Sequence, residues 1–162
     1  MHEGGCTVRV REASDGDAAE ISEVLRLAFA EFRALYTTAG FEATTPGAEP
    51  IRIRMREGKV WVAVQQEKVI GTVAAVSQSS DCYVRGMAVL PECRAHGVGR
   101  QLLAVAERFA IENGSRRLRL STTPFLTGAI RLYESCGFRF VPERGEDLFG
   151  TPLITMIKEV GC

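Results

Sequence analysis

The chain has 162 residues, 46% of them hydrophobic and 25% charged, with a formal net charge of zero. That length buries a real core in one domain of ordinary size, and the balanced charge argues against nucleic acid or an anionic membrane as principal partner. No apolar run approaches the ~20 residues that cross a bilayer, the opening Met1-His2-Glu3-Gly4-Gly5 has no secretory pattern, and five scattered cysteines with two histidines predict reduced thiols, no metal site and a cytoplasmic setting.

Thr7 to Arg11 alternates Val8 and Val10 with polar neighbours and reads as a first strand. Asp17 and Glu20 have the spacing of a capped helix start. The helix that follows places Ile21, Val24, Leu25, Ala28, Phe29 and Phe32 on one face. Gly40, Pro46 and Gly47 mark a loop over 37–49, and Ile51 to Glu57 reads as a short second helix. Val60 to Val64 and Val69 to Val76 flank a polar turn, which is a hairpin pattern. Tyr83 to Leu90 is the next strand, and its alternation predicts Tyr83, Arg85 and Met87 on one face. Beyond it, a helix runs from Val98 to Asn113, with Gly114 as its stop. Leu118 to Ser121 is a short strand at a basic cluster, Arg116-Arg117-Leu118-Arg119, read as a solvated strand edge. Thr127 to Cys136 is a helix ending at Gly137. Phe138 to Val141 and Leu153 to Ile157 are the last strands, joined by a loop from Pro142 to Thr151. Strands interleaved with helices predict a mixed sheet covered on both faces, an α/β layered sandwich.

The stretch Arg94-Ala95-His96-Gly97-Val98-Gly99-Arg100 lies between a strand and a helix. A glycine turn there brings bare N–H groups to a helix N-terminus, where the helix dipole favours negative charge. Arg94 and Arg100 add mobile positive charge. A phosphate or pyrophosphate ligand is expected. A triphosphatase P-loop needs a Lys-Ser or Lys-Thr pair, and the chain has none. A dinucleotide fingerprint needs a third glycine and an acid at the end of the next strand; Leu118 to Ser121 carries no acid. The pyrophosphate of an acyl-CoA is the third reading.

A second constellation is Ala129-Ile130-Arg131-Leu132-Tyr133-Glu134-Ser135-Cys136-Gly137-Phe138. Together with Arg94-x-x-Gly97-x-Gly99, with Val10 to Asp17 and with Met87 to Glu92, it resembles the GCN5-related N-acetyltransferases. The likeness runs from about Val8 to Lys158. It implies a three-layer α-β-α sandwich around a mixed, centrally splayed sheet of about seven strands. It implies an N-terminal tail over 1–6 and a single N-acetyltransferase domain over 7–160. It also implies an enzyme that moves an acetyl group from acetyl-CoA to a primary amine by direct attack, through a tetrahedral intermediate. The alternative is a non-catalytic acyl-CoA-binding or regulatory domain on the same fold.

On that resemblance the donor is held by Met87, Ala88, Val89, Arg94, Ala95, His96, Gly97, Val98, Gly99, Arg100, Thr127 and Tyr133, with no metal. Thr127 stands where the family often has an asparagine. His96 is a departure from the family pattern, read as a loop residue near phosphate. Backbone groups of Met87 and Val89 would pair with the pantetheine as an added strand does. The N–H of Val89 would receive the oxyanion, and Tyr133 would protonate the leaving thiolate. No carboxylate lies inside the strand where some relatives place a general base; Asp81 precedes it, Glu92 follows it, and the base is unassigned. The acceptor, a small-molecule or peptide amine, is expected against Phe29, Phe32, Tyr36, Tyr83, Arg85 and the loop from Glu143 to Phe149. Glu143, Glu146 and Asp147 could draw a cationic amine. Arg85 is open between a surface residue and a partner for a substrate carboxylate. The final strand and the sheet edge offer a second copy a place to pair as a homodimer.

Overall fold

The computed structural model describes residues 7–142 and 146–161. Strand β1 (Arg9–Glu12) leads through a single 3-10 turn into helix α1 (Ala18–Phe29). Asp17 does not cap α1 through Glu20 as its spacing suggested. Its carboxylate instead accepts the Ser14 N–H at 2.8 Å and Arg11 at 2.8 and 3.0 Å. Glu20 reaches the Val69 N–H at 3.2 Å. The Arg11 hydrogen bonds hold the Asp17 acid down at about 2, helped by Ser14 and opposed by partial burial.

A tight 3-10 segment, Ala30–Leu35, continues α1 with a different twist. Phe32 therefore leaves the α1 face on which it was expected. The stretch read as a loop holds helix α2 (Thr38–Thr44), and helix α3 (Ala48–Glu57) starts earlier than expected. Pro50 fits the first turn of α3, where no intrahelical donor is needed. Gly40 lets α2 press close to the far end of the chain. A Cβ there would stand 2.5 Å from the Thr151 hydroxyl.

Strands β2 (Lys59–Gln65), β3 (Lys68–Gln78) and β4 (Asp81–Val89) form a meander through two-residue turns. Gln66 and Glu67 both take positive φ, as the first of these turns requires. Helix α4 (Val98–Glu112) crosses to β5 (Arg117–Thr122), the parallel neighbour of β4. Then come helix α5 (Thr127–Ser135), β6 (Arg139–Val141), a small ladder of β7 (Asp147–Leu148) and β8 (Thr151–Pro152), and β9 (Ile154–Glu159). The main sheet has seven strands in the order β1-β2-β3-β4-β5-β9-β6. Helices α1 and α3 cover one face and α4 the other, so the expected sandwich and mixed sheet are present. The final strand is not an edge. β9 lies between β5 and β6, and the edges are the short β1 and β6. Its backbone groups are spent on two neighbours, and it cannot pair with a second copy.

Two features open the sheet at its centre. The parallel β4–β5 pairing covers only Asp81 to Tyr83 against Arg117 to Arg119, after which the strands part. Asp81 and Arg117 rivet the closed end, with Nε–Oδ1 at 2.9 Å and Nη2–Oδ2 at 3.2 Å. Next, β4 carries a bulge. Arg85 pairs with Ala74 and Ala88 with Thr72, so Gly86 and Met87 together oppose Val73. Gly86 sits at φ +59, a conformation open to glycine at little cost. The extra residue breaks the expected alternation. Arg85 stays on the α1–α3 side, while Met87 turns to the α4 side, where its Cε lies 3.1 Å from where a Gly99 Cβ would stand.

Candidate active site

Beside the splayed end of β4 lies a cleft of about 500 Å³. Its walls are the end of α1, the bulged half of β4, the glycine turn with the start of α4, and one side of α5. Leu90 donates its N–H to Ile70 of β3 at 2.8 Å. Successive residues of a strand point their N–H and C=O to opposite edges, so those of Val89 point away from β3, into the gap.

Gly97 takes φ +81 at the N-cap of α4, and Ala95 takes φ +66. The turn thus uses two left-handed residues, one of them not glycine. The first-turn N–H groups of Val98, Gly99 and Arg100 have no acceptor within the helix. Gly99 has helical backbone, and its lack of a Cβ serves a different end. A Cβ there would stand 2.6 Å from Leu132, so Gly99 lets α5 close against α4. Arg94 and Arg100 are tethered rather than mobile. Arg94 donates to the Ala28 carbonyl at 2.8 Å and to Glu31 at 2.5 Å. Arg100 donates to Ser135 Oγ at 2.8 Å. Both sit at the cleft and can exchange these partners for an anion. His96 and Thr127 are exposed, and neither lines the cleft.

Tyr133 owes its place to the way α5 ends. Phe138 N–H returns to the Tyr133 carbonyl at 3.0 Å, Gly137 N–H to Glu134 at 3.1 Å, and Gly137 takes φ +98. This is a Schellman stop, whose usual apolar contact is here the Phe138 ring, 5.8 Å from that of Tyr133. The spacing Tyr-x-x-x-Gly-Phe is therefore the device that aims the tyrosine. Its phenol is buried, and desolvation, with a further push from Tyr36, raises its pKa well above the ordinary tyrosine value.

A second cavity of about 180 Å³ adjoins the cleft, and both are lined by Phe29, Met87, Leu126, Ala129 and Tyr133. Tyr36, Tyr83 and Arg85 line it as expected, and Leu148 comes from the loop. Phe32 faces the larger cleft instead and packs near Phe125, with ring centroids 6.4 Å apart. Glu143 and Arg144 lie outside the described residues. Glu146 and Asp147 are exposed and do not line the cavity, and Asp147 Oδ1 is taken by the Gly150 N–H at 3.0 Å. Arg54 of α3 also lines this cavity, and nothing in the sequence marked it, because Arg52, Arg54 and Arg56 look alike as a solvated helix face. Neither candidate base is within reach. Asp81 is held by Arg117, and exposed Glu92 lines neither cavity. Among the described residues no cluster suited to a metal occurs, and no helix is long and apolar enough to cross a membrane.

A splayed sheet with a helix start whose first-turn N–H groups are free on one side and a buried phenol on the other defines an α/β protein with a cleft open to an extended ligand. The model of the acetyltransferase (GNAT) family matches residues 21–138. The uncharacterized N-acetyltransferase YjgM of Escherichia coli is 31% identical over 131 residues, covering 77% of this chain and 78% of that protein. N-acetylaspartate synthetase of Danio rerio is 41% identical over 85 residues, 51% of this chain but 30% of that longer protein. The crystal structure of PaiA N-acetyltransferase from Thermoplasma acidophilum in complex with coenzyme A superposes with a TM-score of 0.82 at 18% identity, covering 94% and 99% of the two chains. The chain belongs to the acetyltransferase (GNAT) family and is an acetyltransferase by that membership.

Proposed function

We propose that the protein transfers the acetyl group of acetyl-CoA to a primary amine by direct attack. The observation that carries this reading is the position of Tyr133, whose buried side chain borders both cavities. The larger cleft fits the donor. First-turn N–H groups of α4, with Arg94 and Arg100 beside them, suit a pyrophosphate. The free edge of β4 at Val89 suits a pantetheine amide.

In this reading the amine nitrogen, deprotonated through water, forms a bond to the thioester carbonyl carbon. The oxyanion so formed takes the Val89 N–H, a contact of a kind worth ~3 kcal/mol. The C–S bond then breaks, the thiolate takes the Tyr133 proton, and the proton shed by the acylated nitrogen returns through water to the phenolate. A raised phenol pKa keeps the phenol proton in place in the resting enzyme, and because a thiol has a reference near ~8.5 the transfer accompanies C–S cleavage and is drawn on by loss of the nitrogen proton. Tyr36, bordering the second cavity, supports a route for the acceptor from that side.

The test is free-thiol release from acetyl-CoA across a panel of amines. Tyr133→Phe is expected to lower kcat by about 10²-fold or more and to leave KM for acetyl-CoA near its starting value. The protonated phenol is the working form, so the alkaline fall in wild-type kcat should lie above the pH of an ordinary tyrosine. Equal turnover by the variant removes Tyr133 from the chemistry. Stabilisation by acetyl-CoA with no thiol release for any amine favours a binding domain instead.

A further inference from the structure

The second cavity holds an electrostatic imbalance. Its only charged lining residues among those described are Arg54 and Arg85. The Arg54 guanidinium lies against the bare Cα of Gly86 at the bulge, so close that a Cβ there would be 2.6 Å from Nη1. The Arg54 guanidinium makes no side-chain hydrogen bond among the described residues. Burial, and then the like charge of Arg85, pull Arg54 below the ordinary arginine range, while Tyr83 and Glu57 oppose this. Arg85 reaches Glu57 with Nη2 at 3.4 Å, and its Nε is buried with no hydrogen-bond partner. Glu57 is half exposed on the outer side of α3 and does not line the cavity.

Two guanidiniums thus share one carboxylate, which leaves one positive charge in excess beside a buried, unmet donor. Buried donors and charges in native proteins are met by something, because leaving them unmet is costly. A cationic polyamine or aminoglycoside would meet repulsion here. A dianionic phosphate would overshoot the single excess charge. The volume, below the ~300 Å³ of ordinary drug-sized sites, suits a small molecule. The cavity shares Tyr133 with the larger cleft, so a small molecule whose anion is held at Arg85 has its other end directed toward Tyr133 only if it spans this one cavity.

We propose that Arg54 and Arg85 form a carboxylate-binding subsite, and that the acceptor is a small amine bearing a carboxylate, of the amino-acid class. This rests on the acetyltransferase reading for the word acceptor, but the anion subsite itself does not depend on turnover.

The experiment is calorimetric binding at saturating coenzyme A. The titrants are free amino acids, their N-acetylated forms, the matching amides that lack the carboxylate, an aminoalkyl phosphate, and a polyamine. The expected result is binding of at least one carboxylate and at least about tenfold weaker binding of its amide, the scale of one charge-assisted hydrogen bond. Arg85→Gln and Arg54→Lys should each cost a similar factor and leave coenzyme A affinity unchanged, which also reports that they fold. Arg54→Lys keeps the charge but not the planar fork, so its loss separates bidentate recognition from charge alone. The proposal is overturned if no carboxylate binds, if amide, phosphate or polyamine binds as well, or if both variants bind like wild type. Carboxylate binding without thiol release would retain the subsite and sink the transferase reading. Thiol release with polyamines alone would do the reverse.

Discussion

The larger cleft, proposed for the donor, and the second cavity, proposed for the acceptor, share Tyr133 but are built by different means. In the cleft the polar groups on offer are largely backbone, from the turned edge of β4, the left-handed residues Ala95 and Gly97 and the unpaired first turn of α4, set among apolar side chains such as Phe29, Leu132 and Tyr133. Backbone recognition suits a ligand that does not vary. The second cavity gathers residues from α1, α2, α3, β4, β5, α5 and the segment after β6, with its two charges from α3 and β4. Side chains can be exchanged one at a time without disturbing the fold, so that wall is where specificity can drift. The two regions even use glycine differently. Gly97 is needed for its positive φ, with open space where a Cβ would be, while Gly86 combines φ +59 with the guanidinium packed upon it.

That contrast can be broken experimentally. The largest effect is expected from Gly97→Val, which forces a β-branched residue into a left-handed conformation at a strain of ~1–3 kcal/mol and places bulk over the anion site. Coenzyme A affinity should fall by roughly tenfold or more, as for a lost charge-assisted hydrogen bond. Calorimetry reads this directly, and unchanged affinity would remove the turn from donor binding. Gly86→Ala comes next. It strains the bulge and displaces Arg54, so KM for the amine should rise more than KM for acetyl-CoA. Steady-state kinetics with both substrates varied would show it, and an equal rise in both would erase the distinction between the walls. The smallest effect on activity is expected from Asp17→Asn, remote from both cavities. The folded Asp17 acid lies at about 2, below the ordinary ~3.9. Its contribution is therefore present above pH ~4 and lost as pH falls toward ~2, and is on the order of 1–2 kcal/mol after allowance for the half-exposed Arg11. Melting curves of wild type and variant should differ at neutral pH and converge across that acid window, with both KM values unmoved.

What the sequence disclosed follows the same division. The glycine turn and the tyrosine helix were legible because each is a local backbone device, with its residues adjacent in the chain: Gly97 at an N-cap, and Gly137-Phe138 closing the last turn of α5. The meander and the helix ending at Gly114 were legible for the same reason. The bulge was hidden, since Tyr83, Arg85 and Met87 alternate perfectly on paper and only the pairing with β3 reveals the extra residue. Helix α2 was hidden because its seven residues are held by Thr37 and Thr151, far apart in sequence. Arg54 was hidden because nothing separates it from Arg52 and Arg56 until α3 is laid against β4. The interior position of β9 is a long-range fact with no local mark.

The place of β9 also has a meaning in time. β2, β3 and β4 can zip together by short hairpins as the chain emerges. β5 gains its second neighbour, and β6 its partner in the sheet, only when Ile154–Glu159 arrives between them. Closing such distant pairings is slow, because loop entropy is lost before contacts repay it. α5 lies between β5 and β6 in the chain, so it is clamped last. A nascent chain can carry the glycine turn and the local stop of α5 and still lack the neighbours that bury Tyr133. The strand that completes the sheet is therefore the last stretch of it to be synthesised, and the two cavities are fully walled only once it is in place.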